Sequence, residues 1–150
     1  SILELTNMEM KEPIAVLLED QYSVAVDKSK SINGIHEYFN SGVLLVDCYH
    51  KHTKGKIKVA IRQSYENSKN LIMHDQCALN VAFNKHFDQL PVRFNYLVHQ
   101  NEFKLRKPAI VILHLSGRTK PWQSDYHNDE FISNIWFSYK RIMEIWQKKK

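Results

Sequence analysis

A mixed α/β domain, with a sheet flanked by helices, is what this chain predicts, and three observations carry that expectation. Apolar runs at 14–18, 43–46 and 109–113 lack polar alternation, as strands covered on both faces do. Apolar residues at helical spacing lie between and after those runs. The 150 residues amount to about one domain, with 4 Gly, 4 Pro, no repeat and no convincing linker.

The elements follow in order. Ile2, Leu3 and Leu5 read as the middle of an element, and Ser1 rather than Met precedes them, so the chain is expected to be a fragment. The first strand, Ile14–Leu18, ends at Glu19 and Asp20. Asn40, Ser41 and Gly42 predict a turn before a second strand at 43–46, which ends at Asp47. A first helix places Ile57, Ala60, Ile61, Ser64 and Tyr65 inward, with Lys and Arg on its other face. Asp75 predicts the N-cap of a second helix with an inward stripe of Cys77, Ala78, Val81 and Ala82. A third strand after Pro108 runs into His114. The last helix is the clearest: Phe131, Ile132, Ile135, Trp136, Tyr139, Ile142, Met143 and Trp146 repeat at helical spacing after Asp129 and Glu130.

Composition excludes several classes. Hydrophobic residues at 43% and charged residues at 25% exclude collagen and low-complexity disorder. Of the net charge of +5, three charges are Lys148, Lys149 and Lys150, which leaves a scattered +2 and no arginine-rich stripe, so nucleic acid is not an expected partner. Cys48 and Cys77 cannot form a disulfide framework and read as core thiols of a reducing, cytoplasmic setting. No run approaches the roughly 18–20 apolar residues of a membrane span.

Chemistry concentrates in three segments. Residues 109–122, Ala-Ile-Val-Ile-Leu-His-Leu-Ser-Gly-Arg-Thr-Lys-Pro-Trp, bring His114 to the C-terminal end of a strand, where open α/β sheets bind ligands. Gly117 then permits close backbone approach, and Lys120 adds a cation. An imidazole and an ammonium so spaced suit a metal-bridged diphosphate; a hydrogen-bonded structural His and a solvated Lys are the plainer reading. In Asp75-Gln76, the carboxylate and amide either cap a helix or grip sugar hydroxyls and face developing positive charge.

Taken together and in order, the segments Phe-Asn-Ser-Gly-Val-Leu-Leu-Val-Asp (39–47), Asp75-Gln76, Leu-Pro-Val-Arg-Phe-Asn-Tyr (90–96) and His-x-x-Gly-x-x-Lys-Pro-Trp (114–122) resemble glycosyltransferase family 8, the retaining enzymes of the glycogenin and lipopolysaccharide galactosyl- and glucosyltransferase type. The resemblance implies a Rossmann-like GT-A fold and divides the chain into 1–122, the C-terminal portion of a catalytic domain, and 123–150, an amphipathic helix with a basic tail. It places His114 on Mn²⁺, Gly117 and Lys120 on the diphosphate of a UDP-hexose, and Asn40, Ser41 and Gly42 with Asp75 and Gln76 at the donor sugar, the last two as catalytic residues. The family chemistry is transfer of the hexose with retention to a saccharide or lipopolysaccharide acceptor, through either a front-face ion pair or a covalent intermediate.

One departure is clear. The family holds its cation with two aspartates of an Asp-x-Asp motif, and none occurs in these 150 residues. The motif is expected just upstream of Ser1, and this chain alone is expected to hold Mn²⁺ poorly and to lack activity. The alternative is a non-catalytic sugar-binding or assembly module that has lost the metal and nucleotide site. For the last helix, packing of its apolar face is one expectation and peripheral contact with the inner face of a membrane the other, with rings at the interface and lysines on anionic headgroups.

Overall fold

Strand β1 (Ile14–Leu18) is the centre of the sheet, pairing antiparallel with β2 (Phe39–Val46) and parallel with β3 (Asp88–Gln89) in the order β2-β1-β3. The structure is a computed structural model that describes residues 1–20, 32, 34–35, 37–98, 110–115, 120–123 and 130–148. A second, two-stranded parallel sheet joins β4 (Tyr96–Leu97) to β5 (Leu113–His114). Helix α1 (Ile2–Thr6) opens the chain behind a Ser1–Glu4 capping box, α2 (Thr53–Glu66) and α3 (His74–Ala82) pack on each other, and α4 (Glu130–Gln147) comes last.

The uninterrupted apolar run of β1 explains its place. Ile14 and Val16 bury with Phe39, Ala60, Ala82 and Phe83 on one face, while Ala15 buries with Leu5, Leu90 and Phe94 on the other. Complete burial of side chains such as Ile14 and Val16 contributes about 1.5–3 kcal/mol each, which fixes this strand between two layers. The expected third strand is shorter than its apolar run: among the described residues Leu113 and His114 alone of this run pair, and residues 110–114 are half-buried. Ala109 lies outside the described residues.

The turn expected at Asn40, Ser41 and Gly42 is absent, because all three belong to β2. Their turn chemistry is spent on a bulge instead. Val16 stands opposite Leu44 but Leu17 stands opposite Asn40, so Ser41, Gly42 and Val43 face a single step of β1. The Gly42 N–H donates to Asn40 Oδ1 at 2.9 Å, the local side-chain bond by which Asn bends a chain.

Two inward faces are corrected. In α2 the buried residues are Thr53 and Ala60, while Ile57, Ile61 and Tyr65 are exposed, Tyr65 at 82%. Polar anchors set this rotation: Thr53 Oγ1 donates to Asp47 O at 2.6 Å, and Lys56 Nζ donates to Ala82 O at 2.9 Å at the C-terminus of α3, where carbonyls lack helical partners. Burial lowers the Lys56 ammonium below its ordinary range. In α4, Ile132 is buried and Trp136 meets Trp122 with ring centroids 4.5 Å apart, yet Tyr139, Ile142, Met143 and Trp146 are exposed. Cys77 is buried as expected; Cys48 is exposed, since it stands in the turn after β2. Among the described residues no helix is long and apolar enough to cross a membrane.

Candidate functional site

The bulge of β2, the start of α3, the end of β1 and the two short parallel strands converge on one hydrogen-bonded network. Asp75 is not the N-cap of α3: Met73 precedes the helix without a side-chain cap, and Asp75 sits in the first turn. Its Oδ2 accepts from Ser41 Oγ at 3.1 Å. The next residue, Gln76, is buried and accepts at Oε1 from Ser41 N (3.2 Å) and Asn40 Nδ2 (3.4 Å), while its Nε2 donates to Glu19 Oε1 at 3.3 Å. His74, just ahead of this pair, has φ 46, a left-handed backbone that turns the chain into the helix at Asp75-Gln76.

Asn40 is the hub. Its Nδ2 donates to Glu19 Oε1 at 2.9 Å, and its Oδ1 accepts from Asn95 Nδ2 at 3.0 Å as well as from Gly42 N. Asn95 Oδ1 in turn lies 2.9 Å from His114 Nδ1. Residues as far apart as Glu19, Asn40, Gln76, Asn95 and His114 are therefore joined without a break. The 3-10 turn at Val92–Phe94 carries Asn95 inward, and the Arg93 carbonyl accepts from Val111 N and Ile112 N at 2.8 and 3.1 Å, which draws the His114 strand alongside.

The network grades from core to solvent. Glu19, Asn40, Gln76 and Asn95 are buried, Ser41 and His114 are half-buried, and Asp75 and Gly42 are exposed. Gly42 is required by geometry, since a Cβ there would overlap the His114 ring. Lys120 reaches back to the end of the His114 strand, its Nζ donating to Leu115 O at 2.6 Å. Gly117 lies outside the described residues. No cluster of three His, Cys, Asp or Glu side chains able to hold a metal occurs among the described residues.

Two polar residues of this region, Glu19 and Asn80, lie outside every motif, and Asn95, inside the 90–96 segment, carries no assigned role there. Asn80, fully buried, takes the Phe39 N–H on Oδ1 (2.8 Å) and donates from Nδ2 to Phe39 O (2.8 Å) and Gln76 O (2.9 Å), so a side-chain amide replaces a strand neighbour on the outer edge of β2. The available signal was polarity in apolar company: Asn80 in the inward stripe of α3, Asn95 between Phe94 and Tyr96, Glu19 closing an apolar strand. Behind the network, Tyr38 Oη lies 3.1 Å from Cys77 Sγ, and burial pushes this phenol well above its ordinary range.

Comparison with solved proteins places this fold in a class. The galactosyltransferase LgtC, solved with donor and acceptor sugar analogs, superimposes with a TM-score of 0.61 at 18% identity over 87% of this chain and 52% of its own. The glycosyltransferase GlyE of Streptococcus pneumoniae TIGR4 superimposes with a TM-score of 0.63 at 19% identity over 99% of this chain and 40% of its own. The fold is that of the GT-A glycosyltransferases. Residues 1–126 match the profile of glycosyl transferase family 8, and the chain belongs to that family. The glycosyltransferase GlyF of Streptococcus pneumoniae serotype 4 is 24% identical over 133 residues, 83% of this chain; the chain spans 30% of that relative's length.

Proposed function

We propose that these residues form the donor-sugar side of a retaining hexosyltransferase site that uses a UDP-hexose and a saccharide or lipopolysaccharide acceptor. One observation carries the reading: Asn40, Ser41, Asp75 and Gln76 form one hydrogen-bonded group that reaches His114 through Asn95, from segments widely separated in sequence. A sugar diphosphate must touch a sugar-facing group and a phosphate-facing group at once, and this network spans both.

In the proposed reaction the bond between the hexose anomeric carbon and the UDP oxygen breaks, and the leaving oxygen keeps the electron pair. The acceptor hydroxyl oxygen bonds the anomeric carbon with net retention, and its proton passes to the leaving diphosphate oxygen, which holds the electron pair. The Asp75 carboxylate at the exposed rim and the Gln76 carbonyl oxygen supply negative potential toward the anomeric carbon as it becomes positive. Asn40 and Ser41 orient the sugar, and Lys120, once turned from Leu115, places its ammonium against a phosphate oxygen. His114 is placed as one ligand of a divalent cation such as Mn²⁺, its ring held at Nδ1 by Asn95 as a ligating imidazole is held by an outer partner. A bound Mn²⁺ would neutralise diphosphate charge. The remaining ligands would be carboxylates from beyond the described residues.

The absence of Asp-x-Asp from the 150 residues favours one second reading, a sugar-binding or assembly module without catalysis. Isothermal titration of the chain with UDP-hexose and Mn²⁺ separates the two: heat of binding supports the donor site, and none supports the module. The setting proposed is the cytoplasmic face of a membrane, with the exposed Tyr139, Met143 and Trp146 and the nearby Lys148 toward anionic headgroups. Co-sedimentation with anionic vesicles no stronger than with neutral ones at low salt removes that part.

A further inference from the structure

Resting on the reading of His114 as a metal ligand, we propose that Glu19, Asn40 and Asn95 are positioning residues that fix the tautomer of His114, holding hydrogen on Nδ1 and leaving the lone pair on Nε2. The direction of the chain follows from its two ends. A Glu19 carboxylate only accepts, so Asn40 turns its Nδ2 toward Oε1 at 2.9 Å. The other atom of the same amide is set independently, because the Gly42 N–H at 2.9 Å can only donate and so requires Oδ1. Asn95 must then present Nδ2 to Asn40 Oδ1 at 3.0 Å, which turns its own Oδ1 to His114 Nδ1 at 2.9 Å. An amide oxygen in that place calls for a hydrogen on Nδ1, and a neutral imidazole carries only one.

Burial makes the direction costly to reverse. Asn95 is 0% exposed and Asn40 is buried, so a flipped Asn95 would set two amide oxygens face to face with no water to separate them. A neutral histidine in water favours hydrogen on Nε2, the form that offers no lone pair there. The network thus opposes the solvent preference and keeps Nε2 in the form a divalent cation or a proton requires. Gly42 contributes by omission, since any Cβ would occupy the space of the imidazole.

The test reads the ring itself. Long-range proton–nitrogen NMR on the 150-residue chain labelled with nitrogen-15 histidine, at about pH 8 where histidine is neutral and with chelator present, gives the tautomer of His114, assigned by its loss in His114→Gln. The expected result is a protonated-type Nδ1 and a lone-pair-type Nε2. Asn95→Leu, which removes the acceptor facing Nδ1, is expected to return the ring to the solvent preference. Hydrogen on Nε2 or an even mixture in the parent chain overturns the proposal, as does an unchanged signal in Asn95→Leu. If Asn95→Leu does not fold, the parent signal decides alone. No donor or turnover enters this measurement, so its failure leaves the transferase reading intact, and absence of UDP-hexose binding leaves the tautomer result intact.

Discussion

Replacing Asn80 by leucine tests how the site's main strand is held. Strand β2 is the outer strand of the order β2-β1-β3, and on its far side the Asn80 amide serves both the N–H and the C=O of Phe39 at 2.8 Å. Phe39 is 0% exposed, so water cannot replace the amide. Each orphaned buried group costs about 1–3 kcal/mol, and the added apolar contact of leucine returns about 1 kcal/mol. The net loss is about 3 kcal/mol, a large fraction of the roughly 5–15 kcal/mol that stabilises a domain. Urea unfolding followed by tryptophan fluorescence should show a midpoint lower by about 1.5 M for a slope near 2 kcal/mol/M. Asn80→Asp sharpens the test. At neutral pH its second oxygen opposes the carbonyls of Phe39 and Gln76, and at about pH 4 protonation restores a donor, so this variant should regain stability on acidification relative to the parent. A loss under about 1 kcal/mol in Asn80→Leu, or an Asp variant with the parent's pH dependence, refutes the reasoning.

Gly42→Ala should cost about 1–3 kcal/mol as the new methyl displaces the imidazole from Asn95, measured by urea unfolding; an unchanged midpoint with an unmoved His114 resonance counts against the close approach. Tyr38 contributes a pH dependence whose sign is fixed: its phenol stays protonated in the fold because burial raises it, while the unfolded phenol ionises at about pH 10. Stability from this group is full below about pH 10 and falls above it by up to about 1.4 kcal/mol per pH unit, and Tyr38→Phe should flatten that alkaline slope. In a protein that carries this chain with a complete metal site, His114→Ala should lower kcat/KM at least about tenfold, or 1.4 kcal/mol; unchanged turnover at limiting and saturating Mn²⁺ excludes the metal role.

Strand β1 was legible because its run of buried aliphatics is both a local preference and a global place, with neither face having a second use. Helix α4 was legible in its periodicity, but the exposure of Tyr139, Ile142, Met143 and Trp146 was not, since periodicity defines a face without saying what covers it. Helix α2 misled for a different reason: Thr53 and Lys56 anchor it through hydrogen bonds to Asp47 and Ala82, and those two tertiary bonds rotate Ile57, Ile61 and Tyr65 outward. At the candidate site, Asn40, Ser41, Asp75, Gln76 and His114 were singled out through motifs, whereas Asn95 stood in the 90–96 motif without a role and Glu19 stood in none. Asn95 and Glu19 act through bonds that close only when distant segments meet, and no spacing in the chain encodes that meeting. The turn signal at Asn40-Ser41-Gly42 was chemically right and topologically misplaced, because a bulge uses the same side-chain bond as a turn.

The central claim is that the amides around Asn40 form a donor-sugar site, and their own NH₂ signals report on it. Titrating UDP-hexose with Mg²⁺, in place of paramagnetic Mn²⁺, into the nitrogen-15-labelled chain should shift the side-chain amide resonances of Asn40, Gln76 and Asn95 together and saturably, while UDP alone leaves the Gln76 signal nearer its starting position. No movement of these three pairs at millimolar donor, or movement confined to residues of α4, contradicts the account.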